Sequence, residues 1–499
     1  MMIEMIINVA LMIALAHFAL GFVIWLRVRK LYSYPGLWGF PVIGNLYYCY
    51  RTLFVGSCER IRVMMLQTVK EYGRNGFCFH YAYGFRTLVV VYSPHVVKQI
   101  GFHPHLKDKP VYPYKGFRHY MNGPFSRHRS DDLWKMRRKE YNCLLRKSRV
   151  ESNFYNIFLK SANKLVELMF ASPSALDIHT TILGVTQSVT METLFGLETN
   201  LAFHPRIIHY MHSIKDIASL IIANPRIARA LLFILRPFDE MYIRKIGTLR
   251  RMVLREIYKN MNSNESLLTE NTESYHPLPM YIASRTKKSK TFDRRVVTEL
   301  QEVFITSSHT VASTMSSTIT CLAVLPEIQE RAWKEQYEIF GDDTREPTLE
   351  DLEQMKFLER FIKESLRFCG PPFVGKQASE DIEVDGIIIP KDTIVVYLLD
   401  FLRKDPNYWK DPEVFDPDRF LEENEGLKYS YAPFGVGVRS CPGMTFAMTE
   451  MKITLSKLLR KTKLSPVNKD LKFEDLEFEA QVLMELKNPP LLQVEERVY

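Results

Sequence analysis

The sequence is poor in cysteine and has none of the spacings that cysteine-dependent modules use. Seven cysteines are scattered along 499 residues, their number is odd, and no two of them form a C-x-x-C pair. This pattern excludes a disulfide framework and a zinc cluster as the basis of the fold. At least one thiol must stay outside any disulfide, which favours a reducing compartment.

A strong charge of one sign is also missing. The chain carries 66 Lys and Arg against 57 Asp and Glu, a formal net charge of +9. This excess is small for the length and suits an acidic partner or a membrane surface better than nucleic acid. The sequence also lacks repeats, low-complexity tracts and a glycine-rich nucleotide-binding fingerprint. With 46% hydrophobic and 25% charged residues, it predicts one large globular domain over residues 46–499 and no nucleic-acid partner.

What the sequence does have is one long uncharged run near its N-terminus. None of the 22 residues from 5 to 26 carries a formal charge. A helix of this length can cross a hydrocarbon core of about 30 Å. Arg27, Arg29 and Lys30 follow, so the positive-inside rule places the later residues in the cytosol. We expect residues 1–30 to form a transmembrane anchor. A cleaved signal peptide is the alternative, although no A-x-A-like cleavage site follows the run.

Three further segments are predicted from composition. Residues 31–45 hold two prolines and three glycines, which predicts a stiff, extended hinge. Residues 225–237 mix basic and apolar side chains, and they either dip into a bilayer surface or pack on the core. Residues 262–277 are polar and predict an exposed loop.

The rest of the pattern predicts a mainly α fold with small β-sheets. Helical length and spacing mark residues 153–169 and 352–368. No proline interrupts the chain between Pro279 and Pro326, which leaves room for one helix of about 30 residues or more. Ten of the residues from 306 to 320 are Ser or Thr, which are poor helix formers, so propensity alone leaves that helix undecided.

Two hairpins are predicted within this fold. Aromatic and β-branched residues in the runs 77–83 and 86–92 turn at Gly84. Asp385-Gly386 lies between two apolar-rich triplets and predicts a second tight turn.

The most informative segment reads F-G-V-G-V-R-S-C-P-G at residues 434–443. Its fixed positions have a physical role if Cys441 ligates a haem iron. A thiolate ligand needs backbone N–H groups aimed at the sulfur, and glycine lets the backbone approach closely. Gly435 and Gly437 permit the tight turn, and Gly443 lets the following helix begin against the porphyrin. The alternative is a glycine-rich turn with a buried structural cysteine, in which these matches would be accidental.

Two more positions of the segment complete this interpretation. Arg439 can pair with a haem propionate, and Phe434 can shield the sulfur from water. The segment resembles the haem-binding motif F-G-x-G-x-R-x-C-x-G of the cytochrome P450 superfamily. The resemblance extends over nearly the whole chain and implies the cytochrome P450 fold, with the haem iron held by Cys441.

Other motifs of that superfamily follow in the expected order. Glu364 and Arg367 resemble its E-x-x-R pair. The segment from Asp416 to Phe420 resembles the one whose arginine, here Arg419, joins the pair. The resemblance implies a buried Glu–Arg–Arg group, which suits the bidentate geometry of arginine and locks the loop that carries the cysteine.

Three residues are expected beside the haem propionates or close to them. Trp134 and Arg138 resemble the W-x-x-x-R of a helix that contacts a propionate, and they lie four residues apart on one helical face. Lys376 falls, with a gap of one residue, where relatives often place a propionate-binding Arg or His.

The long helix departs from the superfamily pattern [AG]-G-x-[DE]-T-[TS]. Residues 306–311 read T-S-S-H-T-V. Thr310 stands where the family's threonine helps to deliver protons, and His309 stands where an acid is usual. Three interpretations of His309 are open. It relays protons in place of the acid, since an imidazole titrates at about pH 6.5. It is a neutral core histidine and water brings the protons, or the enzyme rearranges peroxides and needs no relay.

The run LPEIQERAWKE after this helix resembles the fatty-acid ω-hydroxylase branch and its insect relatives. Many members of that branch carry a glutamate that esterifies the haem. Thr306 takes the equivalent position here, so we expect no covalent link to the haem. The same departure weakens the case for a fatty-acid substrate.

The resemblance implies a monooxygenase of the endoplasmic reticulum membrane whose catalytic domain faces the cytosol. NADPH–cytochrome P450 reductase, a separate protein, would supply electrons, with cytochrome b5 as a further donor. One oxygen atom of O₂ would enter a hydrophobic small molecule. Alternatives are a reductase-independent haem-thiolate isomerase or dehydratase, a non-catalytic haem-binding paralogue, and a helical scaffold without haem.

A basic face is expected near the cysteine side of the haem, formed by Arg137, Lys139, Arg146 and Lys147. This face would steer an acidic reductase, or it is a solvated face without a special role.

Overall fold

The computed structural model describes residues 2–37, 57–82, 86–111, 114, 123–198, 200–205, 207–209, 211–212, 218, 222, 278, 294–421 and 425–497. Within these ranges the chain is mainly helical and carries small sheets, as predicted. The predictions for residues 225–237 and 262–277, and for residues 38–45 of the hinge, lie outside them.

Capping side chains begin several of the helices. Asp131 and Asp177 each accept a hydrogen bond from the backbone N–H three residues ahead, which satisfies a donor that has no partner inside the helix. Thr348 and Asp351 form a capping box. The α-helices have the bounds α1 Met2–Val28, α2 Cys58–Tyr72, α3 Pro94–Gly101, α4 Asp132–Leu144, α5 Lys147–Arg149, α6 Tyr155–Ala171, α7 Ile178–Phe195, α8 Arg294–Val324, α9 Pro326–Phe340, α10 Leu349–Gln354, α11 Lys356–Cys369, α12 Leu399–Leu402, α13 Glu425–Tyr431 and α14 Met444–Lys461.

Helix α8 is the long helix for which the proline-free interval leaves room, and it has 31 residues. Its hydroxyl groups do not oppose the helix, because Thr306, Ser308 and Thr310 each donate to the carbonyl four residues earlier. Most of the Ser and Thr side chains between residues 306 and 320 are buried. Tertiary packing therefore outweighs their low helix propensity.

The paired strands of both predicted hairpins are present, and the turn predicted at Gly84 lies outside the described residues. Strands β2 and β3 pair antiparallel with Phe77 opposite Val91, and β5 and β6 pair across Asp385-Gly386. The largest sheet has the order β1-β2-β3-β7-β4. The strands have the bounds β1 Gly36–Leu37, β2 Phe77–Ala82, β3 Arg86–Val91, β4 Val374–Gln377, β5 Ile382–Val384, β6 Ile387–Ile389, β7 Ile394–Tyr397, β8 Thr462–Pro466, β9 Phe478–Ala480, β10 Met484–Leu486 and β11 Leu492–Glu496.

The helix predicted over residues 352–368 is wrong in its first turn, because two helices meet there. Helix α10 ends before Met355, whose side chain is fully buried, and α11 begins after it. The carboxylate of Glu335, on α9, accepts hydrogen bonds from the backbone N–H groups of Phe357 and Leu358. This contact between distant parts of the chain satisfies the first donors of α11, so the helix can begin there.

The N-terminal helix α1 is followed by a turn of 3₁₀-helix over Arg29–Ser33. The extended conformation predicted for the hinge is therefore wrong for residues 31–33, which belong to this 3₁₀-helix. Gly36 and Leu37 of the hinge then join the large sheet, because β1 pairs in parallel with β2. Among the described residues, no single helix has both the length and the apolar character of a membrane span. The segments Glu299–Val324 and Pro326–Phe340 meet these criteria only as a pair, and they are bent by 104°.

Two hydrophobic cores flank the segment predicted to hold the haem iron. The larger core lies among the helices and buries residues such as Phe158 and Ile319. The smaller core lies against the large sheet and buries Val89. Phe434 packs against the larger core and Val436 against the smaller one. Both hydrophobic cores thus contact the loop that leads to Cys441.

Candidate haem-binding site

Residues 434–441 form a tight loop that closes on itself. The backbone N–H of Cys441 donates to the carbonyl of Phe434 at 2.8 Å, and that of Ser440 donates to Gly437 at 3.0 Å. Helix α14 begins three residues after the cysteine. The loop therefore presents the thiol immediately before a helix N-terminus.

Two glycines of the loop have backbone conformations that other residues rarely adopt. Gly435 has φ +73° and Gly437 has φ +75°, both in the left-handed region that favours glycine. A Cβ atom on Gly437 would also lie 2.0 Å from the carbonyl oxygen of Gly101. Gly443 differs, because its φ is −91° and a Cβ there would lie 3.8 Å from Cys441 Sγ, an ordinary contact.

The thiol of Cys441 lies among positive charges. Among the cysteines that the described ranges contain, it alone is exposed, although protein surrounds it closely. The pKa of the Cys441 thiol is raised, because burial outweighs the backbone N–H of Gly443 and the charges of Arg138 and Lys109, which lower it. Cationic neighbours of this kind stabilise a thiolate.

Arg439 and Trp134 form one contact pair beside the loop. The guanidinium carbon of Arg439 lies 4.1 Å from the centre of the Trp134 ring. Arg439 also donates to the hydroxyl of Ser130 and to the carbonyl of Arg127, both at 3.0 Å. The indole N–H of Trp134 donates to the carbonyl of Pro124 at 3.1 Å. Burial lowers the pKa of Arg439 to about 10.

Arg138 and Lys376 contact the same loop from two other elements. Arg138, on α4, donates to the carbonyl of Ser440. Lys376, on β4, is buried and its Nζ donates to the carbonyl of Gly101 at 2.9 Å. Burial and, to a smaller degree, the charge of Arg439 lower the pKa of Lys376 to about 8. Three separate segments thus bring Lys109, Arg138 and Lys376 towards the cysteine loop, which itself carries Arg439.

The Glu364, Arg367 and Arg419 side chains form one buried group. Arg367 donates to both carboxylate oxygens of Glu364, at 2.8 and 2.9 Å, and Arg419 Nε donates to the same carboxylate at 3.0 Å. Glu364 and Arg367 are fully buried. Arg367 also donates to the carbonyl of Arg403 at 2.9 Å, so the group ties α11 to the segment after α12.

Thr310 and His309 lie in the middle of α8. The hydroxyl of Thr310 donates to the carbonyl of Thr306 at 2.8 Å, and the side chain of His309 is buried. Ser307 and Thr190 share a hydrogen bond of 3.1 Å, which fixes α8 against α7. The side chains at these positions are small or polar, and the hydroxyl groups of Ser307 and Thr310 donate to carbonyls of the helix itself.

The basic face predicted beside the cysteine is smaller than expected. Arg137 is turned inward, and its side chain, 12% exposed, pairs with buried Glu299 at 3.5 Å. The ion pair forms because a buried charge without a partner has a high free-energy cost. Lys139, Arg146 and Lys147 remain exposed.

Two charged residues of the site have no motif and were not predicted from the sequence. Lys109 Nζ donates to the carbonyl of Phe125 at 2.8 Å. Glu302, on α8, is fully buried and accepts hydrogen bonds from the backbone N–H groups of Gly123 and Ser126. Burial raises the pKa of Glu302, and these donors lower it. No signal in the sequence could have identified either residue, since their partners are remote in the chain.

These residues fit the haem group that the motifs imply. Cys441, which alone among the cysteines of the described residues is exposed, would supply one soft sulfur ligand at the end of a glycine turn. Arg138, Arg439 and Lys376 are neighbouring cations at the loop, which is what the two propionate carboxylates of a haem require. Among the described residues, no group of three or more His, Cys, Asp or Glu side chains is arranged to hold a bare metal ion. The donor set is that of a haem site.

Comparison with known proteins gives a consistent result. The family model described as Cytochrome P450 matches residues 35–493. A protein of Blattella germanica described as cytochrome P450 4c21 is 26% identical over 94% of this chain and 95% of its own length. Cytochrome P450 4F5 of Rattus norvegicus is 30% identical over 64% of each chain, and cytochrome P450 4V2 of the same species is 39% identical over 33% of this chain and 32% of its own length.

Proposed function

The chain belongs to the cytochrome P450 family, and on that basis we propose that it oxidises a hydrophobic small molecule with electrons from NADPH–cytochrome P450 reductase. Family membership makes it a haem-thiolate monooxygenase. The observation that carries the proposal is the cysteine loop, in which left-handed glycines precede Cys441, Arg138 donates to the carbonyl of Ser440, and Lys376 lies beside Gly437. Its cockroach and rat relatives agree with the resemblance to the ω-hydroxylase branch.

Cys441 would ligate the haem iron through its thiolate. The haem, when bound, supplies the activation of O₂ and the transfer of one oxygen atom. Phe434 would keep water from the sulfur, because it packs against the larger core beside the loop. Burial raises the pKa of the thiol, and the backbone N–H of Gly443 opposes this rise, so that N–H would help to hold negative charge on the sulfur.

The cationic side chains would hold the haem propionates. Arg138 and Arg439 are the main candidates, with Trp134 as a support for Arg439 and Lys376 as a third cation. Arg439 already donates to the carbonyls of Pro124 and Arg127, so its guanidinium would be fixed in orientation before a propionate binds. Such preorganisation lowers the entropy cost of binding.

Thr310 and His309, in the middle of α8, would handle the protons that the reaction consumes. We favour a relay in which the Thr310 hydroxyl holds a proton donor in place and His309 exchanges protons with the interior, since an imidazole has one nitrogen that donates a proton and one that accepts. A neutral core histidine with water as the donor is the alternative. His309→Asp restores the carboxylate usual in the family, and His309→Leu removes any relay. If His309 relays protons, the ratio of product formed to NADPH consumed should fall in His309→Leu and stay near the parent value in His309→Asp. If water delivers the protons, the ratio should stay near the parent value in both variants.

We propose a membrane location because α1 is apolar and uncharged along most of its length. Large apolar side chains such as Met5, Leu15 and Phe18 are 58–64% exposed on this helix, and 22 successive residues carry no formal charge. We infer that α1 anchors the protein in the endoplasmic reticulum membrane with residues 46–499 in the cytosol. Lys139, Arg146 and Lys147 would then meet an acidic reductase, with cytochrome b5 as a second donor.

The carbon monoxide difference spectrum of the reduced, membrane-expressed protein tests the proposal. We expect a band at about 450 nm, the mark of thiolate-ligated haem. Cys441→Ser should lose this band, whereas Cys143→Ser, a control at a half-buried cysteine, should keep it. A band at about 420 nm in the parent protein would contradict a stable thiolate ligand. Absence of any haem band would leave only the helical scaffold.

Turnover then separates the alternatives. A monooxygenase needs NADPH, reductase and O₂ for product, whereas an isomerase or dehydratase acts on a peroxide without them. A haem band without turnover on a broad panel of hydrophobic compounds would favour a non-catalytic paralogue.

A further inference from the structure

We propose that Glu302 is a positioning residue for the haem propionates. It acts through residues 123–126, which we call the clamp segment. The inference rests on the proposed propionate-binding role of Trp134 and Arg439, because the clamp segment connects these side chains to the carboxylate on α8.

The carboxylate of Glu302 binds one side of the clamp segment. It accepts hydrogen bonds from the backbone N–H groups of Phe125 at 2.6 Å and Ser126 at 2.7 Å, and from that of Gly123. The hydroxyl of Ser126 donates to it as well, at 2.7 Å. Four donors therefore converge on one fully buried carboxylate. Charge-assisted hydrogen bonds of this kind are stronger than neutral ones.

The other side of the clamp segment faces the haem-site cations. The carbonyl of Pro124 accepts from Trp134 Nε1 at 3.1 Å and from Arg439 Nη1 at 3.3 Å. The carbonyl of Phe125 accepts from Lys109 Nζ at 2.8 Å. The peptide groups of the segment thus lie between an anion and three side chains that donate from the opposite side. Each contact polarises the peptides in the same sense, so the anion strengthens the carbonyls as acceptors.

The close approach needs glycine at residue 123. A Cβ atom there would lie 2.7 Å from Glu302 Oε2, too near for an unshifted carboxylate. The backbone of Gly123 does not itself require glycine, since its φ is outside the left-handed region. Gly123→Ala therefore displaces the carboxylate without changing any charge, and it tests the same contact from the other side.

A carboxylate is required because an amide cannot replace it. Gln has one acceptor oxygen and one NH₂ group, and in Glu302→Gln that NH₂ would face backbone N–H donors. We expect Glu302→Gln and Gly123→Ala to loosen the clamp segment, and with it the orientation of Trp134 and Arg439. The haem would then be held less tightly.

The experiment measures transfer of haem from the full-length ferric holoenzyme to apomyoglobin. Glu302→Gln and Gly123→Ala should accelerate haem loss by about tenfold or more, as expected for a residue that orients a ligand-binding group. The matched control is Glu299→Gln, a buried carboxylate one turn earlier on α8 that pairs with Arg137. Its haem-loss rate should stay within about twofold of the parent rate.

Two further readouts separate positioning from general stability. The propionate bending bands in the resonance Raman spectrum should shift in Glu302→Gln and not in Glu299→Gln. In an Arg439→Gln background, Glu302→Gln should add less than about twofold to haem loss, because both changes remove the same interaction. A lowered unfolding temperature with parental Raman bands and haem-loss rate would assign Glu302 a structural role only and overturn the proposal.

If Glu302→Gln does not fold, Ser126→Ala decides the question, because it removes a single donor. It should give a smaller acceleration of haem loss with a Raman shift in the same direction, and parental values for both would overturn the proposal. Failure of the proposed function is seen separately, as a missing band at about 450 nm in the parent protein.

Discussion

Two glycine residues with almost the same backbone conformation illustrate how differently the fold uses this residue. Gly437 and Gly386 have φ of +75° and +73°. A Cβ atom on Gly386 would meet nothing within 4 Å, whereas one on Gly437 would lie 2.0 Å from the carbonyl oxygen of Gly101. Gly386 therefore serves only its turn. Gly437 also lets the cysteine loop contact the end of α3.

This contrast makes a paired prediction. Gly386→Ala should cost about 1 kcal/mol of unfolding free energy through backbone strain and leave the carbon monoxide spectrum unchanged. Gly437→Ala adds a clash to the same strain, so we expect a marked loss of the band at about 450 nm. Spectra of both variants at equal protein concentration check this. Equal spectra would show that the contact with Gly101 is not needed.

A buried carboxyl group on α14 gives the stability a pH dependence. Burial raises the pKa of Glu450 to about 8, whereas in the unfolded chain it titrates at about 4.3. Between these values the unfolded state ionises and the folded state does not. The contribution of Glu450 to stability is therefore complete below the unfolded pKa and is lost as pH rises through the folded pKa.

Glu450→Gln removes this titration. Its apparent thermal midpoint, followed by circular dichroism, should exceed that of the parent protein by about 2 °C or more at pH 8. Near pH 5 the difference should be small. Glu495→Gln, at an exposed position, serves as the control and should change neither midpoint. A Glu450→Gln difference that is the same at both pH values would contradict the assignment.

At the scale of elements, ion pairs connect helices according to how deeply they are buried. The Glu364–Arg367 pair has no exposed side-chain surface, and Arg419 joins it. The Arg331–Asp418 pair, formed between α9 and the turn at Pro417–Phe420, has a similar separation of 2.7 Å, but its arginine is 48% exposed. Water screens the second pair and not the first.

Removing the arginine of each pair should therefore have very different effects. Arg367→Leu leaves a buried carboxylate short of a partner and should cost about 3–5 kcal/mol. Arg331→Ala should cost less than about 1 kcal/mol. Urea midpoints and the yield of holoenzyme measure both. Similar losses in the two variants would mean that burial does not control the strength of these pairs.

At the scale of the whole molecule, the catalytic part and α1 are joined by few described contacts. Trp25 of α1 meets Tyr32 edge to face, with ring centres 6.5 Å apart. The family match begins at residue 35, after α1. The large sheet and the helical core are instead tied together at the cysteine loop, through Phe434 and Val436.

Deletion of residues 1–28 should therefore preserve the haem site. We expect the shortened protein to keep its band at about 450 nm, because the deletion leaves the clamp segment and the cysteine loop untouched. The fraction that resists extraction from membranes at high salt should fall. Sedimentation after a salt wash, with the full-length protein as reference, checks this. Loss of the band would assign α1 a role in folding, and undiminished membrane retention would mean that another surface binds the bilayer.

The sequence by itself determined the mainly helical class, both hairpins and the cysteine motif. These features depend on local rules, such as period, turn chemistry and a short fixed spacing of glycine around Cys441. It left the long helix undecided, because Ser and Thr have low helix propensity. In the folded protein, burial of these side chains stabilises the helix. It also missed the break at Met355, which follows from Glu335 on another helix.

The tertiary structure alone decided the partners of the charged residues. Arg137, expected on an exposed basic face, pairs with Glu299, and Glu302 binds backbone groups nearly 180 residues away in the chain. A buried charge takes whichever partner the fold brings within reach, because leaving it unpaired costs more than the gain from any local preference. Sequence spacing carries no record of that choice.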